Sequence, residues 1–142
     1  MEFDYIVVGA GSSGCVVANR LSANKNVSVA LIEAGSRDSS PWIHIPIGYF
    51  RTIKNPSVNW MYKTEEDPGL NGRSINWPRG KTLGGTSSIN GLLYVRGQQQ
   101  DYDGWAQRGN SGWSWREVLP YFKKSENWKG PLSTNRGSSG PL

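Results

Sequence analysis

The chain has 142 residues and a formal charge of +5, from 16 Lys+Arg against 11 Asp+Glu, with 36% hydrophobic residues, 18 glycines, eight prolines and seven tryptophans. That length suffices for one domain with a core, while no apolar run approaches the ~20 residues of a membrane-spanning helix. The basic residues are scattered, Lys123-Lys124 being the nearest thing to a cluster, which argues against a nucleic-acid-binding module and for no nucleic-acid partner. One cysteine, Cys15, excludes an intrachain disulfide. With a chain that opens almost directly on a strand, it makes a cytoplasmic protein the expectation.

Phe3 to Val8 is short, β-branched and aromatic, and stops at glycine, which reads as a buried strand. Gly14 to Asn24 carries Cys15, Val16, Val17, Ala18 and Leu21 in helical spacing, with Asn24 and Asn26 as stop signals and Cys15 as a small core residue. Val27 to Glu33 is a second strand, ended by Ala34-Gly35, so residues 1–35 form one βαβ unit. From Ser36 to about Asn59 the signals weaken around Pro41 and Pro46, with isolated Trp42, Tyr49 and Phe50. Trp60 to Thr64 reads as a strand, Asp67-Pro68-Gly69 to Asn71-Gly72 as turns, and Ser74 to Trp77 alternates weakly. Leu92 to Val95 is a strand or the end of a short helix, and Gln98 to Arg108 is a helix closed by Gly109. In the last helix Ser114 and Glu117 form a capping box, and Trp115, Val118, Leu119 and Phe122 make one apolar stripe. Pro120 inside it should kink the helix or delay its start. From Lys129 onward the chain is linker-like. The apolar content is concentrated at the N-terminus, so the later part is expected to pack against elements outside this chain.

Chemistry enters with Gly9-Ala10-Gly11-Ser12-Ser13-Gly14 between the first strand and first helix. Glycine at these positions permits a tight turn, close backbone approach to a pyrophosphate, and close helix–strand packing, and the helix N-terminus attracts the anion. Glu33 stands nineteen residues beyond Gly14, near the ~20 expected for a carboxylate on the ribose hydroxyls, and argues against a 2′-phosphorylated ribose. FAD and NAD share this fingerprint. A second block, Gly80-Lys81-Thr82-Leu83-Gly84-Gly85-Thr86-Ser87-Ser88-Ile89-Asn90, adds a run of small residues suited to backbone approach to a large flat ligand.

That block resembles the first signature of the glucose-methanol-choline (GMC) oxidoreductases. Gly80-Lys81, Leu83-Gly84-Gly85-Thr86-Ser87, Ile89-Asn90, Tyr94, Gly97 and Asp103 stand at the family's spacing. The Rossmann segment and Asn59 to Trp128 are similar too, most closely to the choline dehydrogenase and bacterial alcohol dehydrogenase members. The resemblance implies an α/β fold: a Rossmann-like FAD-binding βαβ unit (1–35), then a loop-rich FAD-contacting segment with the family signature at 79–103. Residues 1–142 would then be the N-terminal portion of an incomplete domain, without its substrate domain and C-terminal catalytic part. Gly9, Gly11, Ser12, Ser13, Gly14, Glu33 and Ala34 would hold the ADP half of FAD. Arg79, Gly80, Leu83, Gly84, Gly85, Thr86, Asn90, Gly91, Leu92 and Leu93 would lie along the pyrophosphate, ribityl chain and isoalloxazine. Some members attach FAD through a histidine just before the asparagine; here Ile89 implies non-covalent FAD. The implied activity is oxidation of a small primary alcohol by hydride transfer to FAD. The family's catalytic histidine lies near the C-terminus and has no counterpart here, so no catalytic residue and no metal ligand is assigned.

Blander readings hold elsewhere. His44, in Trp42-Ile43-His44-Ile45-Pro46, reads as a loop histidine, the tryptophans as core and interface anchors, and Lys63 to Asp67 as a solvated charge run. An NAD-dependent Rossmann oxidoreductase and a non-catalytic FAD-binding fragment remain alternatives.

Overall fold

The computed structural model describes residues 2–131 and 133–142; Met1 at the head of the βαβ unit and Leu132 in the linker-like run lie outside the described residues. The chain divides into two units, Met1–Leu93 and Tyr94–Leu142.

The first unit begins with the expected βαβ motif. Strands β1 (Tyr5–Val8) and β2 (Val29–Ile32) are parallel, with Tyr5 opposite Val29 and Val8 opposite Ile32. Helix α1 (Ser12–Leu21) crosses between them and stops at Ser22, short of Asn24 and Asn26. Asp4 clasps the entrance to the sheet, accepting from the Ser28 N–H at 2.8 Å and its hydroxyl at 2.7 Å. Those two bonds hold the Asp4 carboxyl below its ordinary value.

Strand β1 is not buried as expected: Val8 is 82% exposed and Ile6 62%. The interior lies instead where later loops meet the glycine turn, at Ala10, Val58 and Ile89 with the buried polar residues Thr52, Asn59 and Thr82. Cys15 is likewise exposed rather than a core residue, its thiol reaching the Ala10 carbonyl at 3.4 Å.

The weakly patterned stretch after Ser36 holds a 3-10 turn (Pro46–Gly48) running into the short helix α2 (Tyr49–Thr52). Pro46 opens it because its fixed φ suits a first helical position and its missing N–H has no partner to lose. Strands β3 (Tyr62–Lys63) and β4 (Asn76–Trp77) form a small antiparallel pair. The expected turns join them: Asp67 accepts from the Gly69 N–H at 2.7 Å, and Asn71 and Gly72 take left-handed conformations. Leu92 to Val95 is neither strand nor helix.

The second unit is a helix pair, α3 (Gln99–Gln107) and α4 (Trp115–Ser125). Tyr102 is its aromatic centre, with ring centroids 5.4 Å from Trp105, 5.6 Å from Trp115 and 5.7 Å from Phe122. The anticipated cap of α4 is present, Glu117 accepting from the Ser114 N–H at 3.1 Å. Pro120 does not delay the helix, which starts at Trp115 and continues to Ser125.

The run after Lys129 is more ordered than its composition suggests. Glu126, buried at the end of α4, accepts from Arg96 and Arg136 at 2.7 Å each and from the Gly137 N–H at 3.0 Å. Burial alone would raise this carboxyl, but the Gly137 N–H, Arg136 and Arg96 outweigh it and hold it below its ordinary value.

Candidate functional site

The two glycine blocks meet within the first unit. Gly9, with φ of +95°, reverses the chain from β1 into α1. A Cβ on Gly14 would overlap the Gly9 carbonyl oxygen, so only glycine lets α1 pack this closely on the turn. Helix α1 has Gly11 as its N-cap, with no side-chain cap and no acidic residue in its first turn. Its first N–H groups therefore keep their donor capacity beside exposed Ser12 and Ser13.

Glu33, just past β2, ties this turn down. One carboxylate oxygen accepts from the Ala10 N–H and the other from the Gly35 N–H, each at 2.8 Å. Each oxygen keeps a further acceptor site, so the clasp leaves capacity for hydroxyl donors. Ala34 is exposed beside it.

The second block docks directly onto the first. The Gly84 N–H donates to the Ala10 carbonyl at 2.8 Å, and the Leu83 N–H donates to the Ser36 carbonyl at 2.9 Å. The Thr82 hydroxyl also donates to the Ser36 carbonyl at 2.9 Å, and the Ser12 hydroxyl donates to that of Ser87 at 3.0 Å. A Cβ on Gly85 would lie 2.9 Å from the Gly11 Cα, one on Gly80 would strike the Gly85 carbonyl, and one on Gly35 would strike Lys81. These three glycines thus serve backbone-to-backbone packing.

The remaining candidates fall along the same path. The Thr86 hydroxyl accepts from the Gly80 N–H at 3.1 Å. Arg79 is exposed, its guanidinium 5.0 Å from the Trp77 ring centre. Asn90 is exposed and accepts from the Leu92 N–H at 3.0 Å, which holds Leu92 at a φ of +60°. Gly91 is exposed in open space, Leu93 is 86% exposed, and Ile89 is 1% exposed.

Sequence reasoning missed Asn59. This 2%-exposed side chain donates to the Ile53 carbonyl at 2.6 Å and accepts from the Met61 and Arg79 N–H groups at 3.0 Å each. A polar residue beside Val58 in a stretch without periodicity carried no signal of that role. His44 stands apart from these contacts, its Nε2 lying 2.6 Å from the Asp38 carbonyl. Among the described residues no three His, Cys, Asp or Glu side chains are grouped to hold a metal, and no helix is long and apolar enough to cross a membrane.

The comparisons with known proteins agree with one another. The family model for GMC oxidoreductases matches residues 3–140. The chain is 48% identical over 141 residues to an alcohol dehydrogenase [acceptor] of Pseudomonas putida, covering 99% of this chain and 26% of that protein. It is 46% identical to an oxygen-dependent choline dehydrogenase of Photobacterium profundum, covering 99% of this chain and 25% of that protein. Among solved structures, pyridoxine 4-oxidase from Mesorbium loti superposes with a TM-score of 0.84 at 36% identity, over 99% of this chain and 28% of its own. An FAD-dependent oxidoreductase from Chaetomium thermophilum gives 0.76 at 33% identity, over 99% and 26%. The chain spans about a quarter of the length of the curated relatives it matches. With nearly the whole chain matched, it belongs to the GMC oxidoreductase family, as a mixed α/β segment corresponding to that family's N-terminal part.

Proposed function

We propose that this chain is the FAD-holding portion of a flavin-dependent alcohol oxidoreductase of the choline dehydrogenase kind, and that residues 1–35 and 79–103 carry the cofactor contacts. The observation that carries the reading is the docking of the Gly84 N–H onto the Ala10 carbonyl. It sets the second block beside an uncapped α1 terminus, where a phosphate would meet free N–H groups and no first-turn carboxylate.

Gly9, Gly11, Ser12, Ser13 and Gly14 would bind the pyrophosphate, and Glu33 with Ala34 the adenosine ribose. Arg79, Gly80, Leu83, Gly84, Gly85, Thr86 and Asn90 to Leu93 would orient the ribityl chain and flavin. FAD, when bound, supplies a hydride acceptor for the carbon of an alcohol. The chain's own part is to hold that acceptor rigidly, so that little reorganisation accompanies the reaction. Similarity to a choline dehydrogenase and to an alcohol dehydrogenase makes a small alcohol the substrate class. The remainder of the polypeptide would bind the alcohol and remove its hydroxyl proton. Burial of Ile89 at the position of the attachment histidine favours non-covalent FAD. Arg51, Arg79 and Lys81 each lie over a tryptophan ring, which suits local packing more than a nucleic-acid groove. The single cysteine favours the cytoplasm.

The test is the visible absorbance of the purified intact protein, before and after anaerobic addition of choline or simple primary alcohols. A flavin band that bleaches with alcohol and leaves entirely with the supernatant on acid precipitation is expected. A protein that takes up no FAD but binds NAD would overturn the reading, and colour retained in the washed pellet would overturn non-covalent attachment.

A further inference from the structure

We infer that Asn59 is the positioning residue for the Arg79–Gly80 segment, fixing where that segment stands against the flavin; this rests on the FAD reading above. Asn59 is the buried side chain through which three separate pieces of chain are joined: the end of α2 through Ile53, the approach to β3 through Met61, and the approach to the second glycine block through Arg79. Its amide is satisfied on both sides, one donor and a twice-used acceptor. An apolar residue of that size in its place would leave the Arg79 and Met61 N–H groups without their side-chain acceptor at a part-buried position.

The backbone around it reinforces the same attachment. Asn59 and Gly80 form an antiparallel bridge, flanked by the Trp60 N–H donating to the Arg79 carbonyl at 2.9 Å and the Lys81 N–H donating to the Val58 carbonyl at 2.8 Å. From Lys81 the chain passes through buried Thr82, held on Ser36, to Gly84, held on Ala10. The block is therefore gripped at two ends, by the glycine turn at Gly84 and by Asn59 at Arg79. Met61, whose N–H donates to the Asn59 side-chain oxygen Oδ1, sits at a φ of +57° that a non-glycine residue adopts only when its surroundings enforce it. Asn59 touches no cofactor in this scheme and acts through Arg79.

The experiment compares the intact protein with Asn59→Ala, Asn59→Asp and Val58→Ala after loading with FAD, reading the flavin absorbance and fluorescence, FAD affinity and thermal unfolding. Val58→Ala removes buried apolar bulk one residue away without touching an Arg79 hydrogen bond. Asn59→Ala should weaken FAD by about tenfold or more and alter the flavin spectrum, in line with the loss of buried hydrogen bonds. Asn59→Asp keeps acceptors for the Met61 and Arg79 N–H groups but sets a carboxylate oxygen against the Ile53 carbonyl. It should therefore lower the unfolding temperature yet shift the flavin spectrum less than Asn59→Ala, while Val58→Ala should lower the unfolding temperature and leave the spectrum unchanged. Should Asn59→Ala not fold, Asn59→Ser, too short to reach both N–H groups, takes its place in each comparison. A spectrum and affinity unchanged in Asn59→Ala, an Asp variant no closer to the unmodified protein than Ala, or a Val58→Ala spectrum shifted as far would overturn the positioning role. Failure of the unmodified protein to take up FAD would overturn the FAD reading and this inference with it.

Discussion

Replacing Glu33 with alanine tests whether this carboxylate, proposed above as a ribose ligand, also builds the glycine turn. It accepts from Ala10 and Gly35 at 2.8 Å each, and a hydrogen bond to a charged group is worth about 1.5–3 kcal/mol. Truncation affects the two amides differently. Gly35 is half-buried and can recover part of its loss from water, whereas Ala10 is 1% exposed and cannot readily do so. Glu33→Ala should therefore destabilise the FAD-free protein by about 2–3 kcal/mol, dominated by the stranded Ala10 N–H. Glu33→Gln, which keeps one acceptor, should lose about half as much. Urea unfolding monitored by tryptophan fluorescence, with an FAD titration on the same samples, separates the roles. Equal stability of the FAD-free forms with weakened FAD binding would refute the clasp and leave a pure ribose ligand.

Three further outcomes are expected. Gly11→Ala should fold normally, since its Cβ meets nothing closer than 4.0 Å at an ordinary φ of −80°, yet lose FAD; Gly85→Ala, at φ +56° and 2.9 Å from the Gly11 Cα, should cost about 1–3 kcal/mol of stability as measured by urea unfolding. The Glu126 carboxyl, held below its ordinary value of 4.5, contributes stability that is present above that pH and lost as pH falls through the lowered value. Glu126→Gln should be less stable at neutral pH and flatter under acid titration, and parallel acid profiles of the two proteins would refute this. Residues 1–142 alone, supplied with FAD, should show no bleaching by choline or other primary alcohols under anaerobic conditions, because His44, the one histidine, is engaged at Asp38; turnover would make His44 the first suspect.

The βαβ unit was legible because its signals are local: a β-branched run, a glycine turn and a carboxylate at fixed separation. The α4 cap was legible for the same reason, Ser114 and Glu117 being three residues apart. What escaped depends on pairings between distant positions. Burial of β1 was inferred from apolarity, but apolarity states what a strand would bury if covered, and Val8 remains exposed. The run after Lys129 reads as linker by composition, yet Arg136 and Gly137 find a carboxylate ten and eleven residues back at Glu126. Asn59 was invisible because its three partners, at Ile53, Met61 and Arg79, share no periodicity with it.

The glycines show the limit most sharply, since one residue type serves two opposed ends. Gly14, Gly35, Gly80 and Gly85 are places where a Cβ would enter protein backbone, so their selection is explained by folding alone. Gly9 and Gly91 have no atom within 4 Å of a Cβ position, and Gly11 has only the Gly85 Cα at 4.0 Å. Packing therefore does not require glycine at Gly11 or Gly91, and at Gly9 the requirement comes from φ. A dinucleotide-binding motif read as a string gives these positions equal weight. In three dimensions Gly35 and Gly85 pack one block against the other, Gly14 and Gly80 pack within their own blocks, and the second set leaves main chain uncovered, as the proposed cofactor contact requires. A site of this kind needs both, because bare backbone favours an anion only while it is held still.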